Sequence, residues 1–161
     1  MTCCESLRHK LAALAGLTGS ERRLLAEAWW TLLFVDGLVR AWSLPRVQGW
    51  VGTRFRTGPA GGVGLDWQAI RRLEQLVGLA GRHQLYPITC LRQALALQVL
   101  LARRGTAAEL RLGVRKDAQR LLAHAWLEFD GQILDPSGEQ VGFLQLQPVL
   151  KASSAGLDRQ G

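Results

Sequence analysis

Cysteine is scarce here: three residues in a chain of 161, two of them adjacent at Cys3 and Cys4. Three such cysteines make no disulfide framework. No Cys-x-x-Cys pair occurs, so the usual pattern of a structural zinc site is missing, and no metal or cofactor is expected. A secretory signal is missing too, because the start is polar and its first apolar stretch carries Lys10 with no cleavage pattern behind it. The most apolar run, Trp29 to Val35, stops at Asp36, well short of the roughly 20 residues a spanning helix needs. These absences point to a reducing cytoplasm, where a lone cysteine stays a thiol. Lysine is rare as well, with 3 Lys beside 17 Arg and a formal net charge of +7. The arginines are spread as pairs (Arg22-Arg23, Arg71-Arg72, Arg103-Arg104), which favours general solvation over a patch for an anionic membrane or acidic peptide. Nucleic acid is not expected as a partner.

What is present suits one globular domain with a modest extension. Hydrophobic content of 48% and charged content of 20% exclude disorder except at the ends. Thr18 and Glu21, three positions apart, form a capping-box signature before Leu24, Ala28, Leu32, Val35 and Val39, which predicts an amphipathic helix to about Trp42. Pro45 and Gly49 interrupt it. Residues 57–65 read as a linker; a phosphate cradle there would lack its lysine and its preceding strand. Asp66 is placed to cap a second helix with Ile70, Leu73, Leu76, Val77 and Ala80 on one face and Gly81 as its stop. A third helix, apolar almost all round from Leu91 to Leu101, should lie in the core and end at Arg103-Arg104-Gly105. Alternation at Leu110, Leu112 and Val114 predicts a strand. A second runs from Leu121 to Phe129, turns at Asp130-Gly131 into a third over Gln132 to Asp135, and Val141 to Gln147 can supply a fourth. The expected organisation is a helical front over residues 1–56, the linker, a core over 66–150 and a flexible tail over 151–161.

Cys90 is the residue with the clearest chemical setting. Pro87 blocks a helix before it and Thr89 is a plausible N-cap, so Cys90 falls in the first turn of the core helix. There the helix dipole and free N–H groups favour a thiolate, and the backbone N–H of Cys90 can serve an oxyanion. A buried cysteine acting as a small hydrophobe is the plainer alternative. The hairpin adds a base and an acid. An Asp-Gly pair between apolar runs marks a two-residue turn, which sets Phe129 opposite Gln132, Leu127 opposite Leu134 and Trp126 opposite Asp135. His124, Trp126 and Asp135 then share one face, with His124 and Asp135 as diagonal neighbours roughly 7–8 Å apart. Asp130 lies about 20 Å from His124 along the strand at about 3.3 Å per residue, and Asp117 sits in a loop without fixed register. Asp135 is therefore the better orienter. His9 and His83 read as incidental surface residues. Gln84, six residues before Cys90, is either an oxyanion donor or a solvated loop side chain. Trp29, Trp30 and Trp42 either dock a partner or pack the front helices.

Three segments together resemble a known family: Pro87-Ile88-Thr89-Cys90-Leu91-Arg92-Gln93-Ala94-Leu95-Ala96-Leu97, the strand ending Leu112-Gly113-Val114-Arg115, and His124-Ala125-Trp126-Leu127-Glu128. They are similar to the transglutaminase-like leader peptidases of lasso-peptide biosynthesis, over about Trp67 to Pro136 and again at Trp29 to Trp42. His-Ala-Trp followed by Asp-Pro is common to the wider papain/transglutaminase-like class; the Cys-Leu-Arg-x-Ala-Leu-Ala-Leu helix and the short chain narrow it. The resemblance implies an α+β fold, with N-terminal helices before a central helix packed on a small antiparallel sheet. It implies a cysteine peptidase using Cys90, His124 and Asp135, with Trp126 beside them as a substrate- or partner-binding residue, that removes the leader from a ribosomally made precursor. It implies as partners that precursor, a separate leader-recognition protein and an ATP-dependent cyclase, because the front of this chain offers no run of strands for a recognition module. Acyl transfer to an amine by the same triad, or a non-catalytic peptide-binding scaffold, are the competing expectations.

Overall fold

The computed structural model describes residues 17–54, 64–84, 86–117, 120–138 and 143–145. The lead-in with Cys3, Cys4 and His9, most of the 57–65 linker and the 151–161 tail lie outside the described residues.

Helix α1, Gly19–Ala41, starts as its sequence dictates. The Thr18 hydroxyl accepts from the Glu21 N–H, and the Glu21 carboxylate accepts from the Thr18 N–H at 2.8 Å. Hydrogen bonds from the Thr18 backbone and hydroxyl, with Arg72 alongside, hold the Glu21 carboxyl at about 2. Pro45 does not leave a gap behind α1. It lies in the first turn of a further helix, α2, Leu44–Arg54, where a missing N–H has no intrahelical partner to lose. Gly49 is carried inside this helix.

Helix α3, Trp67–Arg82, begins at Asp66, whose carboxylate accepts from the Ala69 N–H at 2.6 Å. It does not stop at Gly81. That glycine is buried within the helix, and a Cβ there would come 2.9 Å from the Gln93 side chain, so it serves close packing rather than termination. Helix α4, Cys90–Ala102, is buried on every side from Gln93 to Leu101. Its exit follows the sequence expectation: Gly105 takes φ 78°, and the Thr106 N–H returns to the Leu101 carbonyl at 3.0 Å.

Among the described residues four strands form one sheet, β1 (Glu109–Asp117), β2 (Arg120–Phe129), β3 (Gln132–Leu134) and β4 (Leu144–Gln145), antiparallel in the order β3-β2-β1-β4. Asp117, read from sequence as a loop residue, closes β1 opposite Arg120. The hairpin pairs Phe129 with Gln132, Glu128 with Ile133 and Leu127 with Leu134, and Asp130 and Gly131 take φ 50° and 70°. Both central residues in the left-handed region make the turn of the I′ kind that a right-twisted hairpin requires.

The fold is α+β, with α4 between the front helices and the sheet. Ala28, Leu32 and Val35 of α1, Val47 and Val51 of α2, Ile70, Leu73 and Val77 of α3 and Ala125, Leu127 and Leu134 of the sheet join α4 in one buried cluster. A helix enclosed this way has no face for polar residues, which accounts for its uniform apolar sequence. Three of the paired arginines work as ties between segments: Arg72 reaches Glu21 of α1, and Arg103 and Arg104 both reach Glu27. Exposed pairs of this kind contribute about 0–1 kcal/mol each, so they set orientation more than stability. Among the described residues no helix is long and apolar enough to cross a membrane.

Candidate active site

Cys90 is the first residue of α4 and is half-buried against the core as a free thiol. Thr89 holds the N-cap position with extended backbone but makes no side-chain cap hydrogen bond, and no acid stands in the first turn. The first-turn N–H groups are therefore not consumed by a capping side chain, which leaves the positive end of the helix for another acceptor.

His124 sits in the middle of β2, the strand on which α4 packs. Its side chain is 1% exposed, stacked on Trp126 at 5.9 Å and covered by Phe143 at 5.0 Å between ring centroids. Gly113 lies opposite His124 on β1, and a Cβ there would come 2.6 Å from the Trp126 ring. The bare glycine gives the indole its place. Trp126 is consequently 2% exposed, a wall behind the imidazole with little surface left for the substrate or partner contact expected of it.

Asp135 follows β3 and meets His124, with Nε2 and Oδ2 2.9 Å apart. The Trp126–Asp135 pairing drawn from sequence is not part of the ladder, which ends at Leu127–Leu134. The chain turns instead at Asp135-Pro136-Ser137-Gly138, closed by the Gly138 N–H on the Asp135 carbonyl at 3.1 Å. In that turn the Ser137 N–H and hydroxyl donate to Asp135 Oδ1 at 3.0 and 2.7 Å. Burial pushes the Asp135 carboxyl up, but the Ser137 hydroxyl, His124 and the Ser137 N–H outweigh it and hold it below the ordinary carboxylate range. An ionised carboxylate only accepts, so Nε2 of His124 donates in this contact and Nδ1 faces away from the acid.

Helix α3 braces this acid. Glu74 accepts the Asp135 backbone N–H at 2.5 Å and an Arg71 N–H at 3.0 Å, and Arg71 also donates to the Ile133 carbonyl at 3.0 Å. A Cβ at Gly78 would collide with the Pro136 carbonyl oxygen, so the glycine lets α3 approach the turn. Sequence reasoning missed Glu74, Gly78, Ser137 and Phe143. Only Ser137 carried a local signal, the Asp-Pro-Ser-Gly turn.

The remaining candidates are dispersed. The Gln84 amide donates to the Trp29 carbonyl at 3.1 Å, which spends one of its hydrogens on α1 instead of on an oxyanion. Trp29 is half-buried against the core and meets Trp30 edge-to-face at 5.1 Å; Trp30 is 67% exposed. Both line an apolar groove of about 370 Å³ between α1 and α3, with Arg22 and His83 on its wall. Trp42 is also exposed.

A helix with cysteine at its start, packed on an antiparallel strand whose histidine is paired with an aspartate, has the architecture of the papain/transglutaminase-like class. A family profile described as transglutaminase-like superfamily matches residues 31–150, and the chain belongs to that superfamily. No curated protein and no solved structure matches it.

Proposed function

We propose that this protein is a cysteine peptidase that removes the leader from a lasso-peptide precursor. The observation that supports it most is the His124–Asp135 pair, which leaves Nδ1 as the working nitrogen on the strand against the helix of Cys90. Nδ1 takes the thiol proton, and Sγ of Cys90 attacks the scissile carbonyl carbon. The resulting oxyanion is held by the N–H of Cys90 and its neighbours in the first turn. The C–N bond breaks as His124 returns the proton to the leaving amine. Water, deprotonated by the same imidazole, releases the acyl group and restores the thiol. Asp135 keeps the ring in its tautomer throughout.

The groove beside Trp30 suits a separate leader-recognition protein, whose binding would raise the local concentration of the scissile bond to about the millimolar range. The setting proposed is cytoplasmic, with an ATP-dependent cyclase taking the freed core peptide. The test is mass spectrometry of the precursor incubated with the chain, with and without that partner. One new cleavage, faster with the partner and lost in Cys90→Ala, is the expected result. Cleavage that survives Cys90→Ala ends the reading, and conversion of the product by an added amine redirects it to acyl transfer.

A further inference from the structure

Helices α1 and α3 spend first-turn N–H groups on their own caps, Thr18 and Asp66, whereas α4 has neither a capping side chain nor a first-turn acid. Something else must hold its start. Asp36, in α1, is 5% exposed and points its carboxylate at both flanks of Cys90. Oδ2 accepts from the Tyr86 hydroxyl at 2.7 Å, four residues before the cysteine, and Oδ1 lies 2.8 Å from Arg92 Nε, two residues after it. The Arg92 contact is an ion pair whose angles do not make a hydrogen bond. Arg40, one turn along α1, adds a second cation 2.8 Å from Oδ2, lies over the Tyr86 ring at 5.7 Å and is largely solvent-exposed.

We infer that Asp36 is a positioning residue that replaces a local cap, fixing the start of α4 from the neighbouring helix while leaving its first-turn N–H groups free for the reacting anion. The logic is chemical. A capping Asp or Ser at residue 89 would stabilise the helix by accepting from those same N–H groups, and a carboxylate there would also set a negative charge beside the thiolate. Arg92 does not face Cys90, since helix residues two apart point to different sides, so the clamp acts on the backbone and not on the sulfur. Tyr86 does the same for the approach through Pro87. The inference rests on Cys90 being the nucleophile.

The experiment reads the rate of Cys90 alkylation by iodoacetamide, in a background with Cys3 and Cys4 changed to Ser. It needs no peptide substrate, so it stays separate from the cleavage test above. Asp36→Asn should slow alkylation roughly tenfold and Tyr86→Phe roughly threefold. Thr89→Asp should raise the melting temperature yet also slow alkylation. The deciding variant combines Asp36→Asn with Thr89→Asp: stability should return and reactivity should not. If the double variant is alkylated as fast as Thr89→Asp alone, Asp36 is merely a fold-stabilising residue and the inference is overturned. Should Asp36→Asn not fold, Tyr86→Phe decides alone, since it removes one oxygen, and an unchanged rate there overturns it equally.

Discussion

Cys90 and Asp135 end two segments that are held in opposite ways. Asp135 is fixed mainly by its own four-residue turn and two donors from Ser137, with a more distant brace added by Glu74 of α3. The start of α4 has no side-chain cap, and both its flanks are tied to a carboxylate of α1, more than fifty residues upstream of Cys90. Under the proposed function, the difference follows from what each group must do. An orienting carboxylate gains from every donor it can collect, because each lowers its affinity for a proton. A nucleophile's helix must keep its donors uncommitted, so its support has to come from outside.

The sharpest way to break the comparison is at the acid. Asp135→Asn should lower turnover by roughly 10⁴-fold, as the same change does in a serine-protease triad, while Cys90 stays alkylatable. A loss of alkylation as well, measured on the folded variant, would mean the two sides are not separately held. Gly78→Ala comes next. Forcing a methyl against the Pro136 carbonyl should cost about 1–3 kcal/mol in denaturant unfolding. It should also cut turnover by up to about 10²-fold, the penalty for a displacement of about 1 Å.

Acidification gives a smaller and directional effect. The folded Asp135 carboxyl lies below its ordinary value, so its contribution to stability is complete above that value, about 3.9, and is lost as pH falls through the folded value. The stability difference between wild type and Asp135→Asn, from denaturant unfolding, should stay level from neutral pH to about 4 and shrink only below it. A difference that shrinks already near pH 6 would assign the effect to some other group. Smallest of all, Asp130→Asn should change stability by less than about 0.5 kcal/mol, since Asn-Gly makes the same turn. A large loss of turnover there would show that the hairpin tip takes part in holding Asp135.

What was legible in the sequence was what is written locally. The capping box at Thr18 and Glu21, the Asp66 cap, the Gly105 exit and the Asp130-Gly131 turn all act within a few residues, and the turn alone fixes the 127–134 register. That register was enough to bring His124 and Asp135 together. The misreadings concern contacts between distant segments. Gly81 resembles a helix stop until Gln93 is packed on it, and Trp126 resembles a contact surface until the bare Gly113 opens a place for it across the sheet. Asp36 could be read only as the residue that ended an apolar run; its partners lie on a loop and a helix that periodicity cannot bring to it. Pro45 was misjudged for another reason: proline breaks the interior of a helix but suits its first turn, and only the position of the start distinguishes the two.

The stacking of Trp126 on His124 also equips the molecule with an optical gauge. An imidazolium draws an electron from excited indole far more readily than neutral imidazole does, so Trp126 emission should dim whenever His124 takes up a proton. Both rings are almost wholly withdrawn from solvent, which shields that signal from bulk quenchers. Subtracting the emission of Trp126→Phe removes the contribution of the other tryptophans. Stopped-flow fluorescence could then follow the proton's journey during turnover with no label attached.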